Sequence, residues 1–161
     1  MPGPANWPPE LEYVGFWARV GAALIDSVLL LAIITPLLYG FYGPDYFLED
    51  NAVHGMVDVL LNWVLPAVAV IVFWVYRQAT PGKMVIKARI VDADTAGPPS
   101  TGQLIGRYFA YYVSIIPLCL GLFWVAFDAR KQGWHDKLAG TVVVRPRRRG
   151  PAAVRFESAS K

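Results

Sequence analysis

The chain has 161 residues, of which 55% are hydrophobic and only 17% charged, against a usual charged share of about 25%. That length holds one compact unit and excludes two large domains, and so little charge points to lipid as the surroundings. A single cysteine, Cys119, excludes an internal disulfide, and His54 and His135 are too few and too far apart for a zinc motif, so no metal or other cofactor is expected.

The net charge of +3 is unevenly spread. Residues 1–76 hold Arg19 against seven acidic residues, whereas 77–161 hold fourteen basic residues and five acidic ones. The basic half flanks an apolar run instead of forming a face with interleaved aromatics. The expected partner is therefore a bilayer, not nucleic acid.

In chain order, residues 1–14 ("MPGPANWPPELEYV") are Pro-rich and acidic and read as a cytoplasmic N-terminal segment. The apolar run 16–39 follows, too long for the core of a cleaved signal peptide and thus a permanent anchor. A second run covers 57–76 and a third 104–127; each reaches the about 20 residues a helix needs to cross a ~30 Å hydrocarbon core. The loop 40–56 has no Lys or Arg and belongs outside, while 77–103 carries Arg77, Lys83, Lys87 and Arg89 and belongs in the cytoplasm with the N-terminus. His54 sits among Asp45, Glu49, Asp50 and Asp58, as part of an acidic cation funnel or of a solvated loop.

The third run poses a conflict. A single crossing would leave Arg130, Lys131, Lys137, Arg145, Arg147, Arg148 and Arg149 outside, against the positive-inside rule. "VIKARIVDA" (85–93) and "GTVVVR" (140–145) read as two short strands that need each other, and they pair only on one side of the membrane. Pro117 and Gly121 in "PLCLG" offer a bend, so the run is read as a re-entrant hairpin, with a kinked third span as the alternative. The expected fold is an all-α membrane protein: two transmembrane helices, this third apolar segment, and a small cytoplasmic two-stranded β element. Residues 15–145 form the membrane domain, and 146–161 a disordered basic tail whose arginines lie against anionic lipid.

"GFWARVGAALIDSVLL", then "ATPGKMVIKARIVDADTAGPPS", then "FDARKQGWHDKLAGTVVVR" resemble, in that order, the RDD family of bacterial membrane proteins over residues 14–145. The family is named for an arginine and two aspartates. Arg19 and Asp26 match the first two, and Asp136 in "WHDKLAGT" the third, with Asp128 as the other candidate. The resemblance implies a multi-pass protein of the bacterial cytoplasmic (inner) membrane, with transport of an unidentified ligand and proton-coupled cation exchange among the expected activities.

Asp26 lies ten residues beyond Phe16, ~15 Å along a helix and near the bilayer midplane. A carboxylate there costs roughly 2.5–3.5 kcal/mol and should face the protein interior. Arg19 shares its face but is ~10 Å away, too far for an easy ion pair. Asp26 is thus protonated or paired with another segment, Arg107 being the candidate partner. It either titrates as a proton and cation site or acts as a polar lock through Ser27, Thr35 or a backbone group. Asp136 reads as the cap of a short helix in "DKLAG" that ends at Gly140, or as a partner folded back onto Arg19. "TPGK" (80–83) lacks the full phosphate-loop pattern and reads as a turn, and Cys119 reads as packing.

Two functions follow as expectations. One is a small transporter of a cation or small solute, oligomeric because two spans and a hairpin cannot enclose a pathway. The other is a non-catalytic accessory or assembly subunit of a larger membrane complex, docking through Gly15, Ala18, Gly21 and Ala22. No nucleophile–base or metal constellation suggests an enzyme.

Overall fold

The computed structural model describes residues 11–49 and 53–147. Helix α1 (Phe16–Tyr42) extends the first apolar run by three residues and tolerates Pro36 inside it. It stops at Gly43, whose φ of 76° is open to glycine at little cost and whose N–H returns to the Tyr39 carbonyl at 2.9 Å. A 3₁₀ turn (Pro44–Phe47) leads to α2 (Met56–Val59), a π-helical turn (Leu60–Val64) and α3 (Leu65–Arg77), which run on as one helix. Gln78, left-handed at φ 51°, breaks it, and a short helix α4 (Pro81–Val85) follows.

Two regions, Phe16–Tyr42 and Met56–Val85, are long and apolar enough to cross a membrane. Only 11% and 6% of their most apolar stretches are buried within the chain. The third apolar run becomes α5 (Thr101–Ile115) and α6 (Leu120–Phe127), bent by 99°. The bend falls at the Pro117 segment, where Leu118 and Cys119 take left-handed φ values of 53° and 62°. Gly121 lets the two arms close, since a Cβ there would lie 2.7 Å from the Ser114 Cα. Both ends of the pair are tied to one place. Gln103, in the first turn of α5, donates to Asp92 at 2.6 Å, and Arg130, just past α6, donates to the Ala93 carbonyl at 2.6 Å.

The β element has three strands, not two. β2 (Arg89–Asp92) pairs antiparallel with β3 (Thr141–Pro146), as Ile90 opposite Val143. β3 is central, because β1 (Leu11–Tyr13) adds to its other edge with Tyr13 opposite Val144. β1 falls in the segment read from sequence as a plain N-terminal stretch: three residues after a Pro-rich run give almost no periodicity to detect. Residues 1–10 and 148–161, the latter holding most of the expected tail, lie outside the described residues. Val14, Trp74, Ala88, Ile90, Leu104 and Val143 form the main core, where the sheet meets α3 and α5.

α4 packs on α1 at very short range. A Cβ on Gly82 would lie 2.0 Å from the Ala22 carbonyl oxygen, which is backbone and cannot swing aside. Gly82→Ala should therefore destabilise the protein by about 1–3 kcal/mol or more, read as a lower thermal unfolding midpoint of the full chain in neutral detergent. An unchanged midpoint would show that α4 does not seat against α1.

Candidate functional site

The three motif residues do not meet at one point. Asp136 is the third residue of α7 (Trp134–Ala139), and its carboxylate accepts the Gly133 N–H at 3.0 Å, closing the start of that helix. The same carboxylate pairs with Arg19 at 2.5 Å and Arg107 at 2.6 Å. Capping and pairing with Arg19, set out above as alternatives, are thus both present. Asp136 is 0% exposed and is held by arginines from α1 and α5. Arg107, also 0% exposed, pairs with Asp136 instead of Asp26 and donates to the Thr141 hydroxyl at 3.0 Å. Arg19 donates in addition to the carbonyls of Val14 at 3.0 Å and Lys131 at 2.6 Å. It thus sews the start of α1 to the loop before α7.

Asp26 serves a separate junction. Its carboxylate accepts the Thr80 hydroxyl at 2.5 Å and the Gly82 N–H at 2.7 Å. Gly82 is the second residue of α4, one of the first-turn amides that lack an intrahelical acceptor, and the Thr80 side chain makes no cap bond of its own. Asp26 therefore caps α4 from another helix, with its charge on the favourable end of the dipole. Neither Ser27 nor Thr35 is its partner. Asp26 is half-buried and meets the loop just past α3 through Thr80.

Around Asp136 stands a set of side chains of which the sequence singled out Arg107 but not its aromatic neighbours. The Arg107 guanidinium lies 5.3 Å from the Trp74 ring centre and 5.8 Å from that of Tyr111, as in cation–π contacts. Tyr111 stacks on His135 at 3.9 Å between centres. Ser114 accepts the His135 N–H at 3.0 Å and donates to the Ala110 carbonyl at 3.1 Å. Trp74 and Tyr111 looked in sequence like ordinary members of apolar runs, and only the arginine at position 107, inside such a run, was a readable signal.

Asp128, the other candidate for the second aspartate, holds Lys137 at 2.5 Å and the amides of Arg130 and Gln132 at 3.1 Å, bracing the loop between α6 and α7. At the far end of the long helices, Asp58 is buried and accepts from Tyr46, Asn62 and the His54 amide. His54 lies 3.3 Å from Glu49. His54 thus stands between Asp58, which its amide meets, and Glu49, which its ring approaches; Asp50 lies outside the described residues. Among the described residues no group of three or more His, Cys, Asp or Glu side chains is placed to hold a metal.

Burial alone would raise the Asp136 carboxyl, but Arg107, then Arg19, hold it well below the usual carboxylate range. Burial pushes His135 down to about 3; Asp136 opposes this, while Arg107 and Arg19 add to it. His135 is therefore neutral in the fold near neutral pH. An imidazole whose folded value lies below its unfolded value of about 6.5 contributes stability that is complete above about pH 6.5 and is lost as pH falls towards about 3. Asp136, and Asp92 and Asp128, which are also held low, enter below about pH 5, so the window between about pH 6.5 and 5 reads His135. There, thermal unfolding of the full chain in neutral detergent should show stability falling by up to about 1.4 kcal/mol per pH unit from this group. His135→Phe, which keeps the ring stack and takes no proton, should flatten that slope; equal slopes in both proteins would contradict a neutral buried imidazole.

The profile of the RDD family matches residues 13–140. An uncharacterized protein of Rickettsia prowazekii, RP437, is 43% identical over 75 residues, which are 47% of this chain and 41% of that protein. The uncharacterized protein YxaI of Bacillus subtilis is 30% identical over 146 residues, covering 81% of this chain and 95% of YxaI. The proline-rich antigen of Mycobacterium leprae is 26% identical over 92 residues, 55% of this chain and 37% of the antigen. This chain thus spans well under half of the Rickettsia and Mycobacterium proteins and nearly all of YxaI. No solved structure is significantly similar. With the family profile covering residues 13–140, most of its length, this chain belongs to the RDD family.

Proposed function

We propose that this chain is a multi-pass protein of the bacterial inner membrane that carries a cation or small solute, coupled to protons through Asp26 and working as a homo-oligomer. One observation carries the reading: a half-buried carboxylate in a long apolar helix stands against the interruption in the other one. Ionisable residues in apolar spans are functional sites by default, and interrupted helices are where transporters expose backbone groups to a cargo. Oligomerisation supplies the missing walls, since two helices and a bent pair enclose too little and leave most of the helix surface uncovered.

The accompanying topology has the N-terminus, the sheet and the C-terminus in the cytoplasm, with α5 and α6 entering and leaving from that side. The tethers from Gln103 and Arg130 to the β2 end support it, as do the exposed apolar side chains at the bend, Ile116 and Leu118. A fluorescent protein fused to the C-terminus should glow, and alkaline phosphatase fused there should be inactive. The reverse pattern would make the third run a span.

Asp26→Asn separates transport from a mere lock. The amide keeps an oxygen for the Gly82 N–H, so the variant should fold and insert normally. In proteoliposomes given a Na⁺ or K⁺ gradient, proton movement read by an internal pH dye should drop to background. Undiminished flux in the variant would leave Asp26 as a cap and favour the second reading. That reading, an accessory subunit, is supported by the same uncovered faces of α1 and α3, together with Gly15 and Gly21, where an added Cβ would touch nothing within 4 Å. It expects gentle-detergent purification to bring a fixed partner, not further copies of this chain.

A further inference from the structure

At the end of the long helices away from the sheet, one imidazole stands among acids. The His54 ring centre lies 4.4 Å from that of Tyr46 and 6.1 Å from that of Tyr42. Its Nε2 is 3.3 Å from the Glu49 carboxylate, and its backbone N–H donates to Asp58 at 3.0 Å. The groups that face it are thus Tyr42 from α1, Tyr46 from the 3₁₀ turn, Glu49 just past that turn and Asp58 from α2. None of them is basic, and His54 is the one side chain between residues 40 and 64 that can become positive. Asp58 is 3% exposed, and its oxygens meet only uncharged donors, from Tyr46, Asn62 and the His54 amide.

The same residues join the helix ends. Tyr42, in the last turn of α1, accepts the Asp58 N–H at 3.0 Å, and Tyr46 donates to the Asp58 carboxylate at 2.5 Å. The His54 side chain is 12% exposed, yet its Nε2 is buried and makes no hydrogen bond, which costs stability. A proton on the ring changes every local interaction in one direction. Both ring nitrogens become donors, so the one facing Glu49 carries an N–H whichever tautomer came before. A positive charge then stands between two carboxylates and at cation–π range from the Tyr46 ring.

We propose that His54 is a proton-operated clasp between the far ends of α1 and α2: charged, it holds Glu49 and Asp58 and draws the two helix ends together; neutral, it lets them part. Histidine is the side chain that changes charge between about pH 5 and 8, so the clasp tightens on acidification through that range and slackens above it. It needs no transported solute and stands apart from Asp26.

The test uses the full chain in phosphatidylcholine nanodiscs, in a Cys119→Ser background, with spin labels at Phe41→Cys on α1 and Met56→Cys on α2, both exposed positions. Unfolding would mix the two histidines, whereas the label separation reads this end of the helices. Between pH 7.5 and 5.5 the distance distribution should narrow and move to shorter values. His54→Gln should show the parent's pH 7.5 distribution at both pH values, and His135→Phe should narrow as the parent does. Glu49→Gln, at a side chain 52% exposed, should lose about half of the narrowing, since one of the two carboxylates is gone; it keeps the test open should His54→Gln fold poorly. Tyr46→Phe, which loses the bond to Asp58, should stay broad throughout. No pH response in the parent, undiminished narrowing in His54→Gln, Glu49→Gln or Tyr46→Phe, or its loss in His135→Phe overturns the proposal.

Discussion

One carboxylate organises the junction between helices and sheet. Asp136 is shared by two arginines that come from helices far apart in sequence, and it also closes the first turn of its own helix. Charges this deeply buried are costly to desolvate, and the mutual attraction offsets that cost only when nearly every donor is used. Arg19 meets this condition, with Val14, Lys131 and Asp136 taking three of its nitrogens. Arg107 meets it in part, since its Nε–H meets no acceptor. Removing the carboxylate would strand two guanidinium groups without a counter-charge, a loss of about 3–5 kcal/mol in buried networks. Compared with a hydrophobic replacement such a network adds little stability. Its strength is directional: it admits one arrangement of α1, α5 and α7 and penalises the others.

The second junction works by the same logic with weaker parts. The Asp26 carboxylate serves an amide at the start of α4, and the missing Cβ of Gly82 lets that helix approach the α1 backbone closely enough for the bond to form. Each feature needs the other. A side chain at position 82 would push the amide away, and without the carboxylate the first turn of α4 would lose its acceptor. The two aspartates therefore do related work at neighbouring places, each closing a short helix from its N-terminal side and joining it to α1.

How much of this was legible in the chain depended on the range of the signal. The long helices were readable because twenty apolar residues in a row have few other meanings in a protein with so little charge. The bend between α5 and α6 was readable through Pro117 and Gly121, and the pairing of β2 with β3 through alternation and a β-branched run. β1 was not, being three residues on an edge with no pattern of its own. The site was legible in its members but not in its pairings. Arg107 stood out as a charge in an apolar stretch, yet nothing local says which of two aspartates it meets, since that depends on the fold bringing α7 beneath α5. Trp74, Tyr111 and His135 gave no signal at all, because an aromatic ring that stacks under an arginine looks in sequence like one that faces lipid.

The position of the charges also ties together elements from opposite ends of the described chain. Arg19 opens the first long helix and Asp136 precedes the last strand, so their bond closes the fold into a ring: β1 and β3 pair, and α1 leaves from β1 as α7 leads into β3. With the sheet and both junctions on one side, the apolar helices extend from a single braced platform. At that platform α4 sits in the break after α3, with Asp26 at its start and Lys83 within it.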